Sequence, residues 1–204
     1  MRDRRLSGTP EGMSVITPPS DLASKAGRAA HDVGLAGILG GNMFGRMALH
    51  PAVERISDPR ERGEVVNAAW KRYGAINSLG LAALTAGWVG ARAGEAQGAA
   101  RLTERERRLA RVKDVLVGTV FVSGLVTAVE GMRFARQAPG GAVPLQDGST
   151  AAPEASPSAA RLKRTLNVLG AVDLVAQGAL VVVNSALSQE GFRRPPLRRR
   201  LRRR

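Results

Sequence analysis

Apolar residues gather into four long runs, at about 33–50, 73–91, 115–134 and 165–189, with Arg or Lys flanking each one. A bilayer core about 30 Å thick requires roughly 17–25 apolar residues of a spanning helix. Residues 73–91 contain no charge on any face, whereas a helix of a soluble bundle keeps a polar one. The pattern predicts an all-α protein, a four-helix transmembrane bundle with spans at about 29–50, 73–93, 112–134 and 165–187.

Start and stop signals bound the helices. Ser20 is a candidate N-cap for helix 1, which runs to about Ile56, and Pro51 should kink it or end its first part. Helix 2 starts at Asp58-Pro59 with Glu61 in its first turn, and only scattered Gly interrupts it before about Gly94. That length exceeds a bilayer, so the long helices 1 and 2 should project as a hairpin outside the membrane. Thr103 to Glu106 fits a capping box for helix 3. Pro139, Pro144, Pro153 and Pro157 among Ala, Ser and Gly mark 138–158 as a flexible outer loop with no means of burying a core. Helix 4 follows from about Ser158 to Glu190, with Gly191 as its stop. The organisation predicted is a disordered tail at 1–19, a membrane domain at 20–191 and an Arg-rich tail at 192–204.

Charge then orients the chain. The net charge is +14 and the mean hydropathy only -0.11, but most of the charged residues lie in tails and loops. The N-terminal tail, the 92–113 segment and the C-terminal tail hold twenty Lys or Arg, against ten in 51–72 and 131–164. By the positive-inside rule both termini are cytoplasmic in a multi-pass protein of the plasma membrane. The terminal Arg run suits anionic lipid headgroups. Nucleic acid is the weaker reading of it, because no stacking aromatics interleave the arginines and only Phe192 is near. Trp70 and Trp88 stand 18 residues apart, about 27 Å along a helix, which suits indoles at both interfaces of one span.

Chemistry is sparse. There is no Cys, and His31 and His50 are the two histidines. That excludes thiolate chemistry and leaves too few ligands for an ordinary zinc site. No motif indicates a catalytic residue, a metal or a cofactor. His50-Pro51 reads either as a proton-handling pair or as an interfacial histidine, which is the commoner case.

Two patterns stand out. Small residues recur every fourth position, at Gly37, Gly41 and Gly45 in helix 1 and at Gly74, Ser78, Ala82, Ala86, Gly90 and Gly94 in helix 2. Such rows let membrane helices approach closely, either within the chain or between copies. The second pattern is polar residues inside the spans: Asn42 and Arg46 on helix 1, Asn77 on helix 2, Glu130 on helix 3, and Asp173 and Gln177 on helix 4. Thr119, Ser123 and Thr127 share the helix 3 face with Glu130. Ionisable groups there are costly and need partners. Arg46 is expected to pair with Glu130 or Asp173, leaving the other carboxylate as a proton or cation site.

The Gly37-Gly41-Gly45 run, His50-Pro51 and the pair Trp70 and Tyr73 resemble small four-helix bacterial membrane proteins of the DoxX-like and anthrone-oxygenase-like groups. The resemblance covers about a quarter of the chain and implies a four-helix membrane fold without assigning an activity. Arg-heavy, Lys-poor usage suits a high-GC bacterium. The function read from the residues is a non-enzymatic helix-packing or assembly protein, associating with itself or with another membrane protein. The alternatives are a small-molecule or proton-linked transporter built on the polar cluster and, third, a membrane oxidoreductase.

Overall fold

A computed structural model of the chain describes residues 19–96 and 102–192. The remainder of the N-terminal tail and of the Arg-rich tail lies outside the described residues. Four long helices make the fold: α1 (Pro19–Phe44), α2 (Pro59–Ala96), α3 (Glu104–Ala135) and α4 (Pro157–Phe192). Among the described residues there is no strand, only an isolated bridge between Leu145 and Ala151.

The local signals act as their chemistry dictates. The Asp58 carboxylate accepts from Arg60 N–H at 2.9 Å and opens α2. Thr103 and Glu106 cap α3 reciprocally, at 3.2 and 2.7 Å. The Ser156 hydroxyl accepts from Ala159 N–H at 3.1 Å, so α4 begins at Pro157, slightly earlier than expected. Pro51 cannot donate to the ladder, and its ring crowds the carbonyl four residues back. The helix responds just before it with a π turn at Gly45–Leu49, in which His50 N–H reaches back five residues to Gly45 O. A short helical turn and a 3₁₀ turn at Val53–Arg55 then bring the chain to an extended Ile56.

α1 packs chiefly on α2, and α3 on α4. The α1–α2 contact is glycine against glycine. A Cβ on Gly34 would lie 2.4 Å from Gly80 O, and one on Gly87 would lie 2.3 Å from Gly27 O. Gly41 sits under the Tyr73 ring and Gly45 under Trp70. Gly27, Gly34 and Gly41 are thus matched with Gly87, Gly80 and Tyr73, in that order. This seven-residue repeat is the seam of left-handed helix packing. The contact is therefore not made by the every-fourth row expected on α2. Ser78, Ala82 and Ala86 are exposed, a Cβ at Gly37 or Gly74 would meet nothing within 4 Å, and Gly90 only approaches Gly27.

Two apolar clusters fill the bundle. One joins all four helices through Leu35, Ile38, Leu81, Leu84, Val117, Val120, Ala176 and Leu180. The other lies at the end where α1 turns into α2, and it includes Val143 and Leu145 of the α3–α4 connection. Both are fully buried. The expectation that 138–158 has nothing to bury fails here: its apolar residues are few but turned inward. Leu145 N–H donates to Pro59 O at 2.9 Å, and Arg62 donates to Gln146 O at 2.6 Å. A Cβ on Gly63 would fall 1.9 Å from Val143 O, so only glycine lets the connection close on α2.

α2, α3 and α4 are each long and apolar enough to cross a membrane. α1 is not among them, because Lys25, Arg28 and Asp32 precede its apolar part and the π turn interrupts it afterwards. The outward faces are apolar well along their length. Val33, Leu79, Val115, Val175 and Val182 are between 68% and 73% exposed, as lipid-facing side chains are.

Candidate functional site: a polar seam between α1 and α4

The two helix pairs meet along α1–α4 and along α2–α3, and polar side chains line part of the α1–α4 contact. Asn42 on α1 and Arg46 in the π turn face α4, while His50 beyond the turn faces Ser149 of the connection and Trp70 of α2. The α3–α4 connection closes the seam at the end where α1 turns into α2, here the loop end.

At that end His50 Nδ1 meets Ser149 Oγ at 3.0 Å, and Trp70 Nε1 donates to His50 Nε2 at 3.2 Å. The indole N–H makes Nε2 the acceptor, so in the neutral ring the proton sits on Nδ1 and is donated to Ser149. Ser149 Oγ therefore receives a hydrogen bond from this histidine rather than losing a proton to it, the reverse of an activated nucleophile. The loop tip is fixed further by Gly148 N–H to His50 O at 3.1 Å and Asn167 Nδ2 to Ser149 O at 2.6 Å. A Cβ on Gly148 would strike the His50 Cα at 2.3 Å.

Asp147 shapes the tip by accepting from the backbone N–H groups of Ser149 and Thr150. Burial pushes its carboxyl up, but these hydrogen bonds and nearby Lys163 outweigh that and hold it below the ordinary range. Lys163 is itself buried, with Nζ 5.5 Å from the centroid of the Phe134 ring. Burial, opposed by Asp147 and reinforced by Arg46, brings its ammonium down to about 8.

Deeper along the seam the Arg46 guanidinium donates to Asn167 O and lies over Gly170, which has no side chain to obstruct it. One turn further, Asn42 Nδ2 donates to Gln177 Oε1 at 3.1 Å. Asp173 is buried on the α3 side of α4 and bonds the Ser123 hydroxyl. Past Gln177 the apolar cluster of Ile38, Leu35 and Leu180 takes over. Beyond it Asn184 Nδ2 donates to Asp32 at 3.0 Å, and the buried His31 bonds Leu84 O at 2.8 Å.

The six residues expected to form one site are divided. Asn42 and Gln177 meet directly, and Arg46 reaches the stretch of α4 just before Asp173. The expected pairing of Arg46 with Glu130 or Asp173 is not made. Arg46 spends its donor on the Asn167 carbonyl, while Glu130 bonds Arg133 one turn along its own helix at 2.7 Å. Asn77 stays half-buried on α2, with no hydrogen bond among the described residues. Lys163 and Ser149 do not stand out in the sequence. The basic residues around Lys163 concealed the first, and no local signal marks the second.

At the opposite end Asp114 of α3 takes Trp88 Nε1 and Arg92 Nε, each at 2.9 Å. The cavity beside them holds about 10 Å³, room for about one water. Among the described residues no group of three His, Asp or Glu could hold a metal ion. No family model, curated protein or solved structure matches the chain.

Proposed function

We propose that this chain is a multi-pass plasma-membrane protein, with both termini cytoplasmic, that acts by helix packing and assembly rather than by catalysis. The observation that carries the reading is that its intramembrane polar groups are used to join its own helices. Asn42 binds Gln177 and Ser123 binds Asp173. Unsatisfied polar groups are expensive in hydrocarbon, so such pairs act as glue between helices. In this reading α1 crosses the membrane too, continuing through its π turn. The α1–α2 turn, with the loop docked on it, projects outside. The Arg-rich tail lies against anionic headgroups.

The partner favoured is a second copy of the chain, seated on the small residues of α2 that its own helices leave uncovered: Ser78, Ala82 and Ala86. With no native Cys, single-cysteine crosslinking in native membranes tests this. Ser78→Cys and Ala82→Cys should give a crosslinked dimer, while Val175→Cys, on the exposed face of α4, should not. Crosslinking absent at 78 and 82, or equal at all three positions, would remove the self-assembly reading.

A second reading, a proton-linked small-molecule transporter, has one observation in its favour. Asp173 is a buried carboxyl whose partner is a hydroxyl, and it makes no ion pair among the described residues.

A further inference from the structure

The Ser123 hydroxyl makes two contacts that compete for one proton. Its Oγ lies 2.6 Å from Thr119 O, the back-bond usual for a serine inside a helix, and it also bonds Asp173 Oδ1. A carbonyl oxygen can only accept, and a hydroxyl has one hydrogen. With an ionised carboxylate, Ser123 would satisfy one of two acceptors and leave the other facing a lone pair. With a carboxylic acid the chain closes: Asp173 O–H donates to Ser123 Oγ, and Ser123 O–H donates to Thr119 O. Every group then has its partner.

The surroundings agree. No charged residue occurs on α2 between Tyr73 and Ala91, on α3 between Val115 and Val129, or elsewhere on α4 between Leu166 and Gln189. In the π turn after α1 the facing cation is Arg46, whose guanidinium is engaged at Asn167 and over Gly170, one turn toward the loop end. Lys163 stands ten residues toward that same end. A buried carboxylate with no cation against it is better served by binding a proton. Toward the loop end the seam carries Arg46, Asn167 and Ser149, and toward the other end the pair Asn42 and Gln177 comes before the apolar cluster. The opposite direction is closed by Leu35, Ile38, Leu84 and Leu180.

We propose that Asp173 is a reversible proton-binding site within the bundle, with Ser123 as the acceptor of its proton. On release the carboxyl becomes a carboxylate, the proton passes to water on the loop side, and Ser123 turns its hydrogen from Thr119 O to Asp173. This goes beyond the assembly reading and does not depend on it, since the site lies inside one chain.

Infrared difference spectroscopy of the full-length protein in lipid tests it. The wild type should show a protonated-carboxyl C=O band at neutral pH that is missing in Asp173→Asn. An amide mimics the neutral acid, so this variant should fold. The band should vanish at alkaline pH and return on reacidification. Ser123→Ala, which removes the acceptor, should shift the band in frequency, and it carries the assignment if Asp173→Asn is not recovered folded. No band attributable to Asp173, a band unchanged in Ser123→Ala, or one that persists at every pH would overturn the proposal. None of these outcomes bears on crosslinking at 78 and 82.

Discussion

The Trp70 indole N–H donates to Nε2 of His50 at 3.2 Å, with the two rings edge to face at a centroid separation of 5.9 Å. That contact fixes the histidine tautomer, and through it the hydrogen bond to Ser149, one of several that dock the loop. Trp70→Phe keeps the ring and removes the donor. A buried acceptor left without its partner typically costs about 1–3 kcal/mol. Thermal unfolding in mild detergent should show a clear loss for Trp70→Phe. An unchanged midpoint would mean that the indole bond does not hold the loop.

Glycine substitutions should separate the two small-residue rows. Gly34→Ala puts a Cβ 2.4 Å from Gly80 O, where the neighbour is backbone and cannot swing aside. Overpacking of this kind costs about 1–3 kcal/mol, or more where the backbones must part. Gly37→Ala, three residues along the same helix, meets nothing within 4 Å. There the gain in helix propensity, about 0.5–1 kcal/mol, should dominate. Opposite shifts in detergent unfolding are expected; equal shifts would contradict the seven-residue seam.

This contrast also shows what the sequence could and could not convey. Capping is local, so Asp58-Pro59 and the Thr103–Glu106 box were legible, and so was the break around Pro51. Which glycines face which helix was not. Gly74 and Gly80 both belong to regular rows, and only the rotation of α2 against α1 decides between them. The 138–158 segment reads as unstructured because composition averages over Val143 and Leu145. Two inward side chains are enough to anchor it when Gly63 lets the backbone approach. The intramembrane polar residues were visible one by one, and Asn42 does meet Gln177. The Arg46 pairing was not legible because a backbone carbonyl, that of Asn167, competes with the carboxylates and carries no sequence signature.

The loop end should respond to pH in two windows. Lys163 has a folded value of about 8 against an ordinary 10.5. Between these the unfolded chain binds more protons, so stability should rise with pH from about 8 to about 10.5. Lys163→Met should flatten that rise. Asp147 has the opposite character: its carboxylate is favoured in the fold, so its contribution is present above the ordinary carboxylate value and is lost on acidification. Asp147→Asn should remove that acid-side loss. A stability profile identical to wild type in either variant would contradict the corresponding assignment.

Asp114 joins α2 to α3 at the far end by taking both Trp88 and Arg92. Asp114→Ala removes the carboxylate that both Arg92 and the Trp88 indole N–H reach. Because Arg92 and Asp114 are each about a third exposed, screening moderates the loss to about 1–2 kcal/mol. Salt should weaken the wild-type contact and leave the variant unaffected. Salt-independent stability in both would show that the charge pair contributes nothing.

The arrangement across the membrane is tested most directly by labelling with a membrane-impermeant maleimide, which the absence of native Cys makes clean. Glu154→Cys, exposed on the docked loop, should react when the reagent is added outside intact cells. Ala99→Cys, between α2 and α3, should react only after the cells are opened. Labelling of Ala99→Cys and protection of Glu154→Cys in intact cells would contradict the topology, with its cytoplasmic termini and outward-facing loop.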